Sequence, residues 1–467
     1  MGRRRNRNKF SGIFHSLDAR LRWVGARCMG IMKSANVTSA PSRLALGGGN
    51  PVGKVEYSKF PLFSETAIER VSDVLREGKA IGLGRFHSPE ITEAEETISR
   101  YHGGREVLAC SSGHAALQGA LAGLEICGGD EVITTPYTWG ASTSCILHQN
   151  AIPVFVDIEP DTGLINPELI EAAITPRTRA ILAVHIFGQP ANLRRLREIA
   201  DKHGISLIED GSQAHGARID GVRVGEVGDA AGFSCMGGKV LPTTEAGYLV
   251  TPSKDVFWKA AMIGQHMGRS PETDFPEDLK PWADSLVYTY RVTPLNAVLL
   301  TEQFGRIEGW IAERRRHADL LRGKLAEAKF LRMPDYADGV MPVYHLMTMN
   351  FDAAAAGVSR DVFMKALNAE GLLSFGYVPS PIPDWPRLHW QTYAGPKASW
   401  LSTLENAGVD YRNMALPNCR HRVANSIEMR FDYVDDQVAM IERMAEIILK
   451  VEANIAELRD LAPTDAS

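Results

Sequence analysis

The sequence predicts an α/β protein whose large domain has three layers, α/β/α, with helices on both faces of a mostly parallel sheet. Between residues 107 and 250, short apolar strands alternate with helical segments. Strands that are apolar throughout are buried on both faces, and their alternation with helices is typical of parallel βαβ units. After Pro294 the alternation ends and charged helical segments predominate, which predicts a smaller C-terminal α+β domain.

The predicted elements follow from hydrophobic periodicity and from capping residues. In the large domain, strands are predicted at residues 107–110, 131–135, 153–157, 180–185, 206–210, 231–234 and 247–250. Helices are predicted there at residues 64–77, 92–101, 115–124, 141–149, 167–174 and 193–203. The smaller domain is predicted to have a long helical stretch at 295–328, a strand at 344–351, and helices at 360–370 and 435–458. The charged run at 313–316 is interpreted as a solvated helix face.

The N-terminal residues differ in charge from the rest of the chain. Ten basic residues and a single acid, Asp18, precede position 44. Such a segment can be a targeting peptide or an arm for anionic surfaces, and we interpret it as a flexible extension over residues 1–55. The large domain is then expected at 56–300 and the small domain, with its long connecting helix, at 301–467.

The overall composition excludes several classes of function. The chain has 467 residues, 45% apolar and 23% charged, as in ordinary globular proteins. A net charge of -5 gives no indication of nucleic-acid or acidic-membrane binding. Six scattered cysteines without a CxxC pair are typical of a reduced, cytoplasmic protein. No apolar run approaches the length of a membrane span, and no histidine spacing indicates a metal site.

A serine-glycine turn, Ser-Ser-Gly-His-Ala-Ala-Leu at 111–117, connects a predicted strand to a predicted helix. Free backbone N–H groups at a helix start, together with the helix dipole, can bind phosphate. A purely structural turn is the alternative, because serine and glycine are common in connections. The segment at 237–240 is no nucleotide phosphate loop, since it lacks the earlier glycine and a hydroxyl after Lys239.

Three further residues could carry chemistry at the carboxyl ends of the strands, where parallel sheets bind ligands. Lys239 follows two glycines. It is either a surface lysine or a desolvated one, whose lowered pKa makes it a nucleophile toward carbonyls. Asp210 ends an apolar strand, and either caps the next helix or pairs with a protonated cofactor ring nitrogen. Trp139 is either a core residue or a surface on which an aromatic ring stacks.

From about residue 60 to 451 the chain resembles the DegT-type sugar aminotransferases, pyridoxal-phosphate enzymes with the aspartate-aminotransferase fold. The matching segments are 111–117, Thr-Pro-Tyr-Thr-Trp at 135–139, Pro-Val-Phe-Val-Asp at 153–157, Ile-Glu-Asp-Gly-Ser-Gln-Ala-His-Gly at 208–216, Gly-Asp at 228–229 with Phe-Ser at 233–234, and Lys239 with Glu-Ala-Gly at 245–247. Six ordered segments across most of the chain are specific for the family and its fold. They are not specific for the substrate.

The resemblance implies roles for eight residues. Lys239 is similar to the catalytic lysine that binds pyridoxal 5'-phosphate covalently, and Asp210 to the catalytic partner of its ring nitrogen. The other implied cofactor-binding residues are Gln213 near the phenolic oxygen, Trp139 on the ring face, Gly113, His114 and Ser234 at the phosphate, and Thr289 at the phosphate of the neighbouring subunit. Two of them depart from the family pattern, because His114 replaces its usual threonine and Thr289 its asparagine.

The implied reaction moves an amino group from an amino acid, glutamine or glutamate, to a keto-sugar, keto-cyclitol or related ketone in a biosynthetic pathway of secondary metabolism. The segment at 429–451 resembles the branch that aminates cyclitols or makes aminohydroxybenzoate. Elimination or cyclisation with the same cofactor is an alternative, although Lys239 argues against the family's sugar dehydratases, which carry histidine there. The other alternative is a non-catalytic cofactor-binding regulator, for which the N-terminal extension is too short to supply a DNA-binding domain.

The resemblance also implies a homodimer with shared active sites, and no nucleic-acid or membrane partner. Walls of the substrate pocket are expected from loop-like segments at 81–85, 265–267 and 375–385, because specificity residues are commonly carried by loops.

Overall fold

The computed structural model of the chain describes residues 43–57, 59–78 and 88–461. Within them the strands are β1 (Glu106–Cys110), β2 (Glu131–Thr134), β3 (Ile152–Phe155), β4 (Thr178–Val184), β5 (Ser206–Asp210), β6 (Arg218–Ile219), β7 (Val222–Arg223), β8 (Ala230–Ser234), β9 (Gly247–Thr251), β10 (Leu331–Arg332), β11 (Val340–Met341), β12 (Leu346–Phe351), β13 (Ser374–Phe375) and β14 (Ser426–Arg430). The α-helices are α1 (Glu65–Arg76), α2 (Pro89–Tyr101), α3 (Gly113–Gly123), α4 (Ala141–His148), α5 (Leu193–His203), α6 (Lys254–Met262), α7 (His266–Arg269), α8 (Pro294–Phe304), α9 (Ile307–Lys324), α10 (Ala353–Ala356), α11 (Arg360–Glu370), α12 (Ser399–Asn406), α13 (Pro417–Asn425), α14 (Val438–Ala453) and α15 (Ile455–Leu461). The strands predicted for the large domain are confirmed to within two residues at each end.

The large sheet has seven strands in the order β1-β9-β8-β5-β4-β2-β3. β9 is antiparallel to both neighbours, and the other strands are parallel to one another. Every residue of β2 and β9 is buried, so both faces of the sheet are covered. The predicted three-layer fold is therefore confirmed.

The parallel strands all end at the same edge of the sheet. Val184 at the end of β4 pairs with Asp210 at the end of β5. Cys110 and Ser234, which end β1 and β8, both pair with Gly247 at the start of the antiparallel β9. Loops that leave these strands therefore begin close together.

Side-chain caps fix where the flanking helices begin. The Ser112 hydroxyl accepts a hydrogen bond from the N–H of Ala115 at the start of α3, at 3.1 Å. Asn192 accepts one from Arg195 at the start of α5, at 3.2 Å. That helix ends at Gly204, whose φ of 61° lies in the left-handed region that glycine adopts without strain. Both bounds of α5 agree with the prediction.

The smaller domain is built on the antiparallel sheet β10-β12-β14-β13, packed against α9, α11 and α14. Leu44 and Val55 are buried in its core, although the prediction assigned them to an extension. The Glu370 carboxylate fixes this segment by accepting hydrogen bonds from the backbone N–H groups of Ala45 and Val52, at 2.8 and 2.9 Å. The rest of the predicted extension, residues 1–42, lies outside the described residues, and the limits of the two domains stay a prediction.

Three predicted helices differ from the structure. Residues 167–174 form two short 3₁₀ turns, Pro167–Leu169 and Glu171–Ala173, and the backbone becomes extended at Ile174. The stretch 295–328 is interrupted at Gly305, which has a low helix propensity, and is divided into α8 and α9. The last helix is interrupted at Asn454, whose side-chain amide donates to the carbonyl of Lys450 at 2.8 Å and so competes with the helical backbone.

The charged run on α9 is not a uniformly solvated face, as the sequence had suggested. Arg314 is completely buried. Its Nη1 donates to the backbone carbonyls of Tyr344 and Phe431, at 2.9 and 2.5 Å, and its Nη2 lies 3.8 Å from a carboxylate oxygen of Asp432. Arg316, two positions later, is exposed. Arg314 therefore joins α9 to the segments that precede β12 and follow β14, at one end of the small sheet. The charged pattern of the sequence does not indicate this contact.

Replacing Arg314 with alanine should lower the free energy of unfolding by about 2 to 5 kcal/mol, because two buried carbonyls lose their donor and a cavity remains. Arg316→Ala on the same helix removes exposed ion pairs and a contact with the His317 ring, and should change stability by less than about 1 kcal/mol. Urea unfolding of both variants measures the difference. Equal effects would contradict a structural role for Arg314.

Candidate active site

A cavity of about 430 Å³ opens at the carboxyl ends of the parallel strands. Predicted site residues that line it are Gly113, His114, Trp139, Asp210, Gln213, Ser234 and Lys239. Its other lining residues are Ser112, Leu117, Thr138, Ala141, Ser142, Val184, Ser212, Met236, Glu245, His345, Leu346, Phe375 and Tyr377. The fold thus brings residues that are distant in sequence into one cavity, as the parallel-sheet argument predicts.

Lys239 lies in the loop between β8 and β9, and hydrogen bonds fasten the ends of this loop together. The N–H of Cys235 donates to the carbonyl of Ala246 at 2.7 Å. Both the N–H and the hydroxyl of Thr243 donate to the carbonyl of Cys235, at 2.7 and 2.8 Å. Within the loop, the N–H of Lys239 donates to the carbonyl of Met236 at 2.9 Å. These bonds hold the lysine at the cavity rather than in solvent.

The environment of Lys239 favours its neutral amine. The residue is buried, with 9% of its surface exposed, and burial lowers the pKa of its ammonium group. The negative charges of Asp210 and Glu245 act in the opposite direction but do not offset the burial. The surface-lysine alternative is therefore not what the structure shows. Near neutral pH a larger share of this amine is unprotonated than in an exposed lysine, which makes it nucleophilic.

Asp210, the last residue of β5, presents its carboxylate to the same cavity. One carboxylate oxygen accepts a hydrogen bond from the hydroxyl of Ser142 at 2.6 Å, and the other accepts one from the N–H of Ser212 at 3.1 Å. Residues 211–217 form turns rather than a helix, so Asp210 does not cap one. The two hydrogen bonds fix the orientation of a buried acid beside the lysine.

Gln213 connects the large sheet to the small domain. Its Oε1 accepts a hydrogen bond from the N–H of Phe187 at 2.7 Å, and its Nε2 donates to the hydroxyl of Tyr377 at 3.1 Å. Phe187 has a φ of 59°, a conformation that costs a bulky residue about 1 to 3 kcal/mol. The bond from its N–H to Gln213 helps to hold this strained turn, so Gln213 has a structural task as well as a place in the cavity.

Glycine is required where α3 approaches β8. A Cβ atom on Gly113 would lie 2.5 Å from the Cβ of Ser234, and one on Gly247 would lie 2.3 Å from the carbonyl carbon of Ser112. Neither distance is compatible with a side chain. The first turn of α3 therefore lies directly against the ends of β8 and β9, where its unpaired N–H groups and positive dipole end border the cavity.

At the same turn, His114 pairs with a second histidine. Its Nε2 lies 2.9 Å from Nδ1 of His148 at the end of α4, and its Nδ1 lies 3.4 Å from the hydroxyl of Ser144. Burial, reinforced by the charge of His148, lowers the pKa of His114 to about 4. Burial likewise lowers the pKa of His148. Two neutral imidazoles therefore stand where the resemblance implies a phosphate-binding threonine.

An aromatic wall completes the cavity. Trp139 is 61% exposed, so it is not the core residue that the sequence left as an alternative. Its ring centroid lies 6.2 Å from that of Tyr377, which in turn lies 5.5 Å from Phe187. An exposed indole at the mouth of a cavity offers a flat apolar surface on which a planar ligand can stack.

Two residues that were predicted to contribute to the site, Thr289 and Gln265, do not line this cavity. Thr289 is exposed and does not line the cavity, although the next residue, Tyr290, accepts a hydrogen bond from the N–H of Ser111 at 2.8 Å. Gln265 is buried and donates to the carbonyl of Ala109 at 2.8 Å, so it supports β1 and is not part of a pocket wall. The predicted wall at 81–85, and the side chains at 266 and 267, lie outside the described residues.

Comparison with known proteins identifies the family. Residues 61–403 match the DegT/DnrJ/EryC1/StrS aminotransferase family. The chain is 31% identical over 433 residues to the L-glutamine:2-deoxy-scyllo-inosose aminotransferase of Streptoalloteichus tenebrarius, which covers 90% of this chain and 100% of the relative. It is 34% identical over 352 residues to the enzyme of that name from Streptomyces kanamyceticus, covering 73% of this chain and 81% of the relative. The chain belongs to this aminotransferase family.

A solved structure agrees with the assignment. An aminotransferase from Psychrobacter cryohalolentis has a TM-score of 0.75 to this chain at 26% identity, covering 86% of this chain and 100% of that one. The family resemblance inferred from six sequence segments is thereby confirmed, and so is the class of enzyme. Aminotransferases of this family depend on pyridoxal phosphate.

Within this family fold, sequence reasoning missed several residues that shape the cavity. Ser142 holds Asp210, and His148 pairs with His114, yet both lie on α4, which carried no recognised motif. His345 and Glu245 also line the cavity without having been singled out for a role. Tyr377 lies within the segment predicted as a pocket wall, although nothing in the sequence indicated its contact with Gln213.

Two other kinds of feature are absent from the part of the chain that the structure describes. No helix there is both long and apolar enough to cross a membrane. No group of three or more histidine, cysteine, aspartate or glutamate side chains there is arranged to hold a metal ion.

The contact between α3 and β8 can be tested with two glycines of one helix. Gly113→Ala should lower the free energy of unfolding by about 1 to 3 kcal/mol, because the new methyl group overlaps Ser234. Gly119→Ala is the control, since the nearest atom to its Cβ would be 3.6 Å away. The control should be neutral or up to about 1 kcal/mol more stable, because alanine favours helix. Urea unfolding that ranks the two variants equally would contradict the close contact.

Proposed function

We propose that the chain binds pyridoxal 5'-phosphate on Lys239 and transfers an amino group from an amino acid to the ketone of a sugar or cyclitol. One observation carries the proposal. The buried amine of Lys239 lies in the same cavity as the carboxylate of Asp210 and the first turn of α3. An amine, an acid and a positive helix terminus match the aldehyde, ring nitrogen and phosphate of this cofactor.

The remaining residues fit the other parts of the cofactor. The amide of Gln213 lies in the cavity, which fits its proposed place near the phenolic oxygen of the cofactor. The exposed face of Trp139 suits a planar ring. Gly113 and Ser234 border the helix terminus, where the absent side chain at 113 leaves backbone N–H groups accessible to phosphate. A volume of about 430 Å³ lies within the range typical of small-molecule sites.

The lysine and the aspartate would have separate chemical tasks. Bound pyridoxal phosphate supplies an aldehyde that combines with amines and a ring that accepts electrons. Lys239 binds the cofactor in the resting enzyme, and its Nζ then accepts the proton from the α-carbon of the donor. A pKa lowered by burial suits that step, because an amine must be unprotonated to act as a base. Asp210 holds a proton on the ring nitrogen, and Ser142 keeps the carboxylate in place.

For the substrates, we infer L-glutamine as the donor and a keto-cyclitol as the acceptor. The names of the relatives from Streptoalloteichus tenebrarius and Streptomyces kanamyceticus support both parts of this inference. The cavity adds polar groups suited to a polyhydroxylated ring, since Glu245, His345 and Tyr377 all line it. Burial keeps the pKa of His345 well below its ordinary value. Its neutral ring can therefore either donate or accept a hydrogen bond.

We also propose that two copies of the chain form the enzyme. Residues close to Thr289 expose large apolar side chains: Trp282, Leu286 and Tyr288 have 71%, 90% and 55% of their surface exposed. Exposed apolar groups of this kind are typical of protein contacts. In such a dimer Thr289, which lies outside the cavity of its own subunit, would be available to the phosphate bound by the partner.

Covalent binding at Lys239 can be tested directly. Borohydride reduction of the cofactor-loaded chain should attach the cofactor to Lys239, as read by peptide mass spectrometry. Lys239→Ala should show no attachment and at least about 100-fold less activity, since removing a general base has effects of this size. Lys254→Ala, which removes an exposed lysine, is the matched control and should behave as the parent protein. Reducible attachment that persists in Lys239→Ala would overturn the assignment.

The donor is tested by a half-reaction. L-glutamine should convert the bound cofactor to pyridoxamine phosphate, and scyllo-inosose should then return it to pyridoxal phosphate, both followed by mass spectrometry. D-glutamine should leave the cofactor unchanged, because its α-proton would be presented on the wrong side. If L-glutamine and L-glutamate both fail to convert it, the chain is not an aminotransferase with these donors.

A further inference from the structure

The histidine pair at the start of α3 has a geometry that a phosphate could use. Nε2 of His114 and Nδ1 of His148 are 2.9 Å apart, so one of these nitrogens donates a proton and the other accepts. His114 lines the cavity, and its second nitrogen lies 3.4 Å from the Ser144 hydroxyl. On the other side, the ring of Trp400 on α12 lies 5.5 Å from that of His148.

Neutral and protonated imidazoles offer different numbers of donors. A neutral His114 has one N–H, so it donates either to His148 or, when Nδ1 of His148 is the donor, to an anion, but not to both. A protonated His114 has two N–H groups, one for each of those acceptors. The threonine that is usual in the family at this position carries no charge, so it cannot make this change.

Few charged groups surround the pair. From β5, Asp210 raises the pKa of His114, but burial and the charge of His148 outweigh it and lower that pKa to about 4. Across the cavity are the amine of Lys239 and the carboxylate of Glu245. The side chains that contact the pair from α4 and α12, Ser144 and Trp400, are uncharged. In the free protein near neutral pH, His114 is therefore unprotonated.

We propose that His114 takes up one proton from solvent when the cofactor phosphate binds at the start of α3, and that His148 is the positioning residue that accepts the second N–H of the resulting imidazolium. The inference rests on the proposed function, because it requires a phosphate in the cavity. A doubly charged phosphate beside an imidazole favours the protonated ring and raises its pKa. Cofactor binding and proton uptake are then coupled.

The direction of the resulting pH dependence follows from this coupling. Since the bound form of the protein holds one proton more than the free form, affinity is greatest at low pH. It falls as pH rises through the interval between the pKa of the free protein, about 4, and the higher pKa of the complex. A chain with threonine at position 114 would lack this contribution to the pH dependence of cofactor affinity. The phosphate group of the cofactor titrates in both proteins, so comparison of the two removes its contribution.

Calorimetric titration of the full-length, cofactor-free chain with pyridoxamine phosphate tests the proposal. Measured in two buffers of different ionisation enthalpy at pH 6.5, the wild type should take up about one proton more than His114→Thr. The ratio of Kd values, His114→Thr over wild type, should fall by up to about tenfold per pH unit from pH 6 to 8. Pyridoxamine, which has no phosphate, should show no difference between the two proteins.

Variants of His148 test its part separately. His148→Phe keeps a ring against Trp400 but accepts no hydrogen bond, and should reduce the additional proton uptake by more than half. His148→Asn places an amide near the position of Nδ1 and should restore the additional proton uptake. If both variants match the wild type, His148 has no positioning role.

The possible failures can be told apart. Tight binding of pyridoxamine phosphate with equal proton uptake in wild type and His114→Thr would overturn this inference and leave the proposed function intact. No binding of pyridoxamine phosphate to the wild type would overturn both. Unfolding midpoints for each variant establish that the protein compared is folded.

Discussion

Desolvation of one amine, that of Lys239, is the constraint on which the site depends. In water this nitrogen would be protonated and could neither bind a carbonyl nor accept a proton. The loop that carries it is closed by the hydrogen bonds of Cys235, and it places the amine in a cavity instead of on the surface. Asp210 and Glu245 act against the effect of burial. Burial remains the larger influence, so the pKa of the Lys239 ammonium group lies below its ordinary value.

The large sheet brings the other residues of the site next to Lys239. Because its parallel strands end at one edge, the acid from β5, the loop from β8 and the helix terminus after β1 meet without long connections. The contact of Gly113 with Ser234 sets how near the helix terminus comes to the lysine loop. A side chain at 113 would push α3 away and weaken the field of its N-terminus, which falls off within one turn.

Sequence alone was sufficient to place residues at the cavity where their position follows from local pattern and strand order. Asp210 is the last residue of an apolar strand, and Gly113 and Lys239 follow the ends of two others. A parallel sheet leaves little freedom in where such residues go. It was insufficient where the role depends on a partner from another element. In the sequence, Arg314 cannot be told from its exposed neighbours. Only the folded small domain shows which carbonyls surround it. Tyr377 and Gln213 are 164 residues apart, and no periodicity indicates their contact.

Helix α4 contacts two residues that line the cavity, Asp210 and His114. Its Ser142 orients the carboxylate of Asp210, while its His148 contacts His114 at the start of α3. The helix is in turn supported from outside: Trp385 packs over Gly140, and Trp400 packs against His148. These tryptophans belong to the segment that follows the pocket wall at Tyr377. Packing in that segment therefore supports α4, the one helix whose side chains contact both Asp210 and His114.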